Sequence, residues 1–394
     1  MPPKIATLFD PQPIGSMYAD AGEISRWLKP LEPVYLFNSA SLRRSARKFQ
    51  GGFPGTVSYA VKANPEERVI DALVGWGLSH FDVASIGEIE SIATRHPDAI
   101  LHFNNPVKAQ DAIETAFHRY GVRSFALDEP TEFAKIMKAT GGDQDVLYSV
   151  RFKLAHRDAS YDFGSKFGTT PDKAAGLLRD IEAFGARPAL TFHPGSQCTD
   201  PQMYAQYLET AADIVARSGV EIEQINVGGG FPVRYQNAAV PELNSYFEVI
   251  DSALDASFAS RPRLMCEPGR AMVAPAVSLL ARIIHVREDS HAVFLNDGVY
   301  GGMQEQSLVD LSMPVKVWRD GRPLQGPSEH YHVFGPTCDP VDRLAKEIEL
   351  PAHLCDGDYI EFGLLGAYGS ATSTGFNGFR SASYLDVLNG FDDC

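Results

Sequence analysis

Eight short apolar or β-branched runs in the first two thirds of the chain each end in or beside a residue that can do chemistry. The ends carry Lys62, Asp82, Asn104, Asp128, Arg151, His193, the triplet Gly228-Gly229-Gly230, and Glu267. A lysine amine can form a Schiff base with a carbonyl group. Carboxylates and an imidazole can move protons, and the backbone N–H groups of a glycine loop can line a phosphate. Each residue taken singly has a plainer explanation. A lone lysine is most often a solvated side chain, and an aspartate after a strand commonly starts a turn or caps a helix. Three glycines in a row form a tight loop, and Glu267 has Arg270 nearby as an ordinary ion-pair partner. Eight such residues at equivalent positions carry more weight than any one of them.

The elements that must position them alternate. The runs are Val57–Val61, His80–Ala84, Ile100–Phe103, Arg123–Leu127, Val146–Phe152, Ala189–His193, Ile222–Val227 and Arg263–Cys266. Segments of helical periodicity lie between them. Val69, Ile70, Leu73 and Val74 share one face; Ala112, Ile113, Ala116 and Phe117 share another. Asp200-Pro201 reads as an N-cap with proline at the first helical position, ahead of Tyr204, Tyr207, Leu208, Ala211 and Ile214. Eight β/α units in this length predict a (β/α)8 barrel, whose active site forms where the strands end. After about Ala274 helical periodicity is largely lost. Strand-like runs follow at Val277–Val286, Ala292–Leu295, Val315–Trp318, Tyr331–Phe334 and Tyr359–Leu364, with a hairpin signal at Asp320-Gly321. The expected organisation is a barrel over residues 39–274 and a mostly β domain over 275–394, joined by the N-terminal segment 1–38 as an added strand.

Composition narrows the function classes. The 394 residues are 44% hydrophobic and 22% charged, which suits a globular protein with a large core. A net charge of −15 without a Lys/Arg-rich run argues against nucleic acid and anionic membrane as partners. Cys198, Cys266, Cys338, Cys355 and Cys394 are widely spaced and form no C-x-x-C pair, so neither a disulfide framework nor a metal site is expected. Met1–Gly15 has no apolar core of a secretory signal, and Ala271–Val286 is broken by Pro275 and Arg282. A cytoplasmic location is expected. No G-x-x-x-x-G-K-[ST] or helix-opening G-x-G-x-x-G is present, which weakens nucleotide readings.

A series of motifs completes the reading. In order they are Tyr59-Ala60-Val61-Lys62-Ala63-Asn64, Phe81-Asp82-Val83-Ala84-Ser85 with Glu88, Lys166-Phe167-Gly168, His193-Pro194-Gly195-Ser196, Gly228-Gly229-Gly230-Phe231 and Glu267-Pro268-Gly269-Arg270. Asn296-Asp297-Gly298-Val299-Tyr300, Gly335-Pro336-Thr337-Cys338-Asp339 with Asp342, Gly366-Ala367-Tyr368 and Phe376-Asn377-Gly378-Phe379 follow. In this order the chain resembles the pyridoxal-phosphate-dependent ornithine/lysine decarboxylase family of the alanine racemase-like fold. The resemblance implies that Lys62 carries pyridoxal 5'-phosphate as a Schiff base, with an amine pKa lowered by its surroundings. It implies that His193 stacks on the cofactor ring and that Glu267 pairs with the pyridine nitrogen. Ser196, Gly229, Gly230, Gly269, Arg270 and Tyr368 would hold the phosphate, and Asp82 and Arg151 would form a supporting pair. The family's sites are shared between two subunits, which implies a homodimer. Cys338, as acid at the α-carbon, and Asp339, as receptor of a distal ammonium, would come from the partner.

Asp339 favours a small basic amino acid: ornithine first, giving putrescine for polyamine synthesis, then lysine or another diamino acid. A diaminopimelate enzyme would place arginine at the distal end and has Glu after the cysteine. Two departures stand out. Pro194 replaces the family's usual valine, and Gly301-Gly302-Met303-Gln304-Glu305-Gln306 resembles the bacterial branch rather than the animal enzymes. Tyr300 is expected at the substrate, with Glu305 or Asp310 at the distal amine. The competing expectations are a non-catalytic binding protein of the same fold, which would lack some of these residues, and a racemase, which would lack Cys338-Asp339.

Overall fold

The structure, a computed structural model, describes residues 17–154, 166–236, 239–309, 311–381 and 383–391, apart from the side chain of Leu308. Asp310 and Cys394 lie outside the described residues. Strand β1 (Val34–Phe37) is followed by β2 (Thr56–Ala60), β3 (His80–Val83), β4 (Ile100–Phe103), β5 (Ser124–Leu127), β6 (Leu147–Arg151), β7 (Arg187–Thr191), β8 (Gln224–Asn226) and β9 (Arg263–Cys266). Strands β2 to β9 close into a parallel barrel, sealed by Thr56 opposite Met265 and Val57 opposite Cys266.

Burial on both faces explains the apolar runs. All four residues of β5 are buried, between the barrel interior and the surrounding helices. The helices bury the expected stripes: Val69, Ile70 and Leu73 in Glu67–Gly75, and Tyr204, Tyr207, Leu208, Ala211 and Ile214 in Gln202–Ser218. The start of Gln202–Ser218 differs from expectation by one residue. Pro201 occupies the cap, and the Asp200 carboxylate accepts the Gln202 N–H at 2.9 Å. The end of β7 also differs, so His193 stands two residues past the strand rather than at its end.

The second sheet is built from β10 (Val277–Arg287), β11 (Ala292–Leu295), β12 (Val315–Arg319), β13 (Arg322–Pro323), β14 (Ser328–Phe334), β15 (Ile348–Pro351), β16 (Tyr359–Phe362) and β17 (Ser383–Asp386). Their order is β13-β12-β16-β10-β11-β14-β15, with β1 antiparallel to β10 and parallel to β17. Asp320 and Gly321 both have positive φ (48° and 81°), the backbone a two-residue hairpin between β12 and β13 requires. Strands β15 and β17 were not expected. Their mixed, partly exposed sequences carry no strong apolar period. A five-residue helix, Gln304–Leu308, likewise interrupts the strand-rich region and carries Glu305. One buried apolar cluster runs from the barrel helices into this sheet, so the two regions share a core.

Candidate active site

Lys62 sits in a single 3-10 turn, Val61–Ala63, directly after β2. Both flanks of the turn are tied down. Ala60 N–H donates to Pro268 O at 3.1 Å, Tyr59 hydroxyl to Asn64 O at 3.0 Å, and Tyr368 N–H to Ala63 O at 2.8 Å. The Asn64 amide reaches Gly366 O at 2.9 Å, so the β domain braces the lysine turn. Tyr368 pays for this approach with a left-handed backbone, φ 58°.

The Lys62 amine faces a cavity of about 390 Å³ at the mouth of the barrel. Asp82, Arg151, His193, Glu267 and Arg270 line it too, as do Ser196, Gly229, Gly230, Gly269, Tyr368 and Glu305. Lys62 Nζ is 3.2 Å from Asp82 Oδ2. Its pKa is therefore raised rather than lowered, because the Asp82 charge outweighs burial. This corrects the expected lowering. The direct partner of Asp82 is thus Lys62 and not Arg151. The Arg151 guanidinium lies 5.5 Å from the Phe167 ring centre and feels Glu267 and Asp82 through space.

His193 is held well below its ordinary pKa by burial, then by Arg151 and Lys62. Its Nδ1 accepts the Gly195 N–H at 3.1 Å, which leaves a neutral ring with the proton on Nε2. Pro194 is buried, and the imidazole remains at the cavity wall. Glu267 is pushed up to about 7 by burial, then by Asp82. Asn104 Nδ2 (2.5 Å) and Asn226 Nδ2 (2.6 Å) both donate to its Oε1. Asn226 also takes the Gly228 N–H at 2.9 Å.

At the other end of the cavity, a Cβ on Gly229 would come 2.6 Å from Glu267 O, and one on Gly230 would come 2.4 Å from Gly195 O. Only glycine lets this loop pass so close. Arg270 donates to the Tyr235 hydroxyl at 3.0 Å and to Ser196 Oγ at 3.3 Å, with the Tyr368 ring centre 5.1 Å from its guanidinium. Its remaining terminal N–H groups fork onto the Glu305 carboxylate, Nη1 to Oε2 at 2.7 Å and Nη2 to Oε1. Glu305 is therefore at the arginine end of the cavity. Arg270 Nε is buried with no hydrogen-bond partner.

Tyr300, Cys338 and Asp339 do not line this cavity. The Tyr300 hydroxyl donates to Asp339 Oδ2 at 2.6 Å, and the Tyr300 ring packs on Phe376 with centres 4.6 Å apart. Cys338 is exposed. Buried Asp342 orders the surface beneath by accepting the Val299 N–H (2.9 Å) and the Thr337 N–H (3.0 Å). Asn226, Tyr235 and the bracing role of Asn64 escaped the sequence reading. Asn226 is a polar residue inside the run Ile222–Val227 just before the glycine triplet, and that was its signal in the sequence. Among the described residues there is no group of side chains suited to a metal ion, and no helix is long and apolar enough to cross a membrane.

The set fits pyridoxal phosphate. A glycine loop with no room for side chains, the Ser196 hydroxyl and the Arg270 guanidinium beside it, which already binds the Glu305 carboxylate, suit a phosphate dianion. A lysine amine and a carboxylate with one oxygen uncommitted suit the aldehyde and the ring nitrogen. Such a site on a barrel joined to a β domain is that of a cofactor-dependent enzyme of the alanine racemase-like fold. Residues 39–274 match the pyridoxal binding domain of the pyridoxal-dependent decarboxylases. The lysine/ornithine decarboxylase of Selenomonas ruminantium is 33% identical over 333 residues, covering 83% of this chain and 82% of that one. Antizyme inhibitor 2 of Xenopus laevis is 30% identical over 356 residues, 82% and 74%. The crystal structure of lysine/ornithine decarboxylase from Vibrio vulnificus, complexed with cadaverine, superposes with a TM-score of 0.81 at 30% identity, covering 94% of this chain and 100% of that one. The chain belongs to the pyridoxal-dependent decarboxylase family, and its cofactor is pyridoxal phosphate.

Proposed function

We propose that the protein decarboxylates L-ornithine to putrescine, with lysine or another diamino acid as the next candidate, in a homodimer with shared sites. The observation that carries this reading is the pair of exposed Cys338 and half-buried Asp339, held in order by Asp342 and Tyr300 yet outside the chain's own cavity. The surrounding surface exposes Val341 (61%), Phe376 (42%) and Phe379 (40%), an apolar patch suited to a second copy. The same reading places the reaction in the cytoplasm.

When bound, the cofactor supplies the electron sink for the charge left when carbon dioxide departs. Lys62 would hold it covalently, and Asp82 would keep the released amine protonated. Neutral His193 would lie against the ring. Glu267 would face the pyridine nitrogen, and Arg270, Ser196, Gly229, Gly230, Gly269 and Tyr368 would hold the phosphate. From the partner, Cys338 would deliver a proton to the α-carbon. Asp339 is kept ionised by the Tyr300 hydroxyl and the Val341 N–H, which suits a distal ammonium.

Carbon dioxide release from ornithine, lysine, arginine and shorter diamino acids tests the substrate. Ornithine should give the highest kcat/KM. A higher value for lysine would overturn ornithine, and no release from any of them would leave a non-catalytic role.

A further inference from the structure

We propose that Asn104 and Asn226 are positioning residues that clamp Glu267 from opposite sides of the barrel and so set how it meets the cofactor's ring nitrogen. This rests on the placement of Glu267 at that nitrogen. Asn104 follows β4 and Asn226 ends β8, third and seventh of the eight barrel strands, on opposite sides of the ring. Both amides donate to one oxygen, Oε1. The carboxylate is thereby fixed over the barrel axis with Oε2 left for a different donor. Amide N–H groups bond more strongly to a charged carboxylate oxygen than to the carbonyl oxygen of an acid, so the clamp favours the ionised form.

The orientation of Asn226 is not free. Its Oδ1 is engaged by the Gly228 N–H, which obliges Nδ2 to point at Glu267. One side chain thus couples the glycine loop at the phosphate end to the carboxylate at the ring end. Among charged groups, Lys62 and Asp82 face Glu267 from β2 and β3, and Arg151 from β6. Burial and Asp82 favour protonation of Glu267, while Lys62 and the two amides oppose it. Aspartate at either asparagine would set a second carboxyl against Oε1, and the pair would then have to share a proton.

The test uses Asn104→Asp, Asn226→Asp, Asn104→Ala and Glu267→Gln in the full chain. Three quantities are measured: cofactor dissociation constant, absorbance of the bound cofactor between about pH 6 and 9, and melting temperature without cofactor. Each asparagine variant should weaken cofactor binding by ~10-fold, the scale of one hydrogen bond to a charged group. The two aspartate variants should also shift the pH midpoint of the absorbance change by about one unit. Glu267→Gln should alter both more strongly. Wild-type affinity and pH profile in both aspartate variants, with Glu267→Gln altered, would overturn the clamp alone. An unaltered Glu267→Gln would overturn the placement of Glu267 itself. A lowered melting temperature with an unshifted pH profile would show a merely structural role and would also overturn the clamp.

Discussion

The barrel mouth and the Tyr300–Asp339 surface are both rich in polar side chains, but they are organised differently. In the mouth, Lys62, Glu267 and Arg270 are each held by groups from distant parts of the chain and enclose one cavity. At the surface, Cys338 is exposed and Asp339 half-buried; Asp339 is bonded to Tyr300 and Val341, and buried Asp342 holds the layer beneath. The first region is built to hold a ligand within one chain. In the proposed function the second is built to be completed by another. Cofactor binding and catalysis should therefore be separable by mutation.

The largest effect that would test this division is at Lys62. Lys62→Ala should lose the cofactor's visible absorbance and lower carbon dioxide release by about 10³-fold or more. Cys338→Ala should also lose most activity while keeping the absorbance. Mixing the two inactive variants is the sharpest test. With random exchange about half the dimers are mixed and each has one intact site, so activity should recover to about a quarter of wild type. No recovery after demonstrated subunit exchange would place both residues in a site within one chain.

Arg270→Ala should weaken the cofactor by about 10²-fold through loss of charge-assisted bonds. It also leaves the mostly buried Glu305 carboxylate without its partner, so a loss of stability of about 3 kcal/mol should accompany it in urea unfolding. Loss of pyridoxal binding to the same degree as pyridoxal phosphate would argue against a phosphate role.

The pH dependence of the cofactor-free protein gives a smaller effect with a definite sign. Glu267 binds its proton more tightly when folded, with a pKa of about 7 against 4.5. Its contribution to stability should fall as pH rises from about 4.5 to 7, by on the order of 3 kcal/mol, since the unfolded chain loses that proton first. Glu267→Gln should remove this contribution, which is read as the difference between the two stability profiles because buried His193 and His102 contribute with the opposite sign. Smallest is Asp342→Asn, which should lower kcat several-fold by loosening the Cys338 loop. Cofactor affinity should not change.

Much of this was legible in order along the chain. A strand buried on both faces must be apolar, so the eight barrel strands and their polar ends stood out, from Lys62 to Glu267. The hairpin at Asp320-Gly321 was equally plain, because few residues accept two positive φ angles in succession. Strands β15 and β17 were hidden because partly exposed strands need no apolar period. The pairing of Glu305 with Arg270 was hidden for a different reason. Whether a carboxylate answers an arginine or an ammonium depends on which one folding sets beside it, and Arg270 is 35 residues away in sequence.

The sequence alone determined the architecture and the chemical inventory, since burial and turn geometry act through local residue choice. Tertiary structure decided the pairings. It set Lys62 against Asp82, which reversed the expected shift of the amine. It set two asparagines from opposite sides of the barrel on one oxygen of Glu267, and it left Cys338 and Asp339 outside the cavity. Charge and hydrogen bonding act over a few ångströms of space whatever the separation along the chain, so these relations exist only once the barrel has closed.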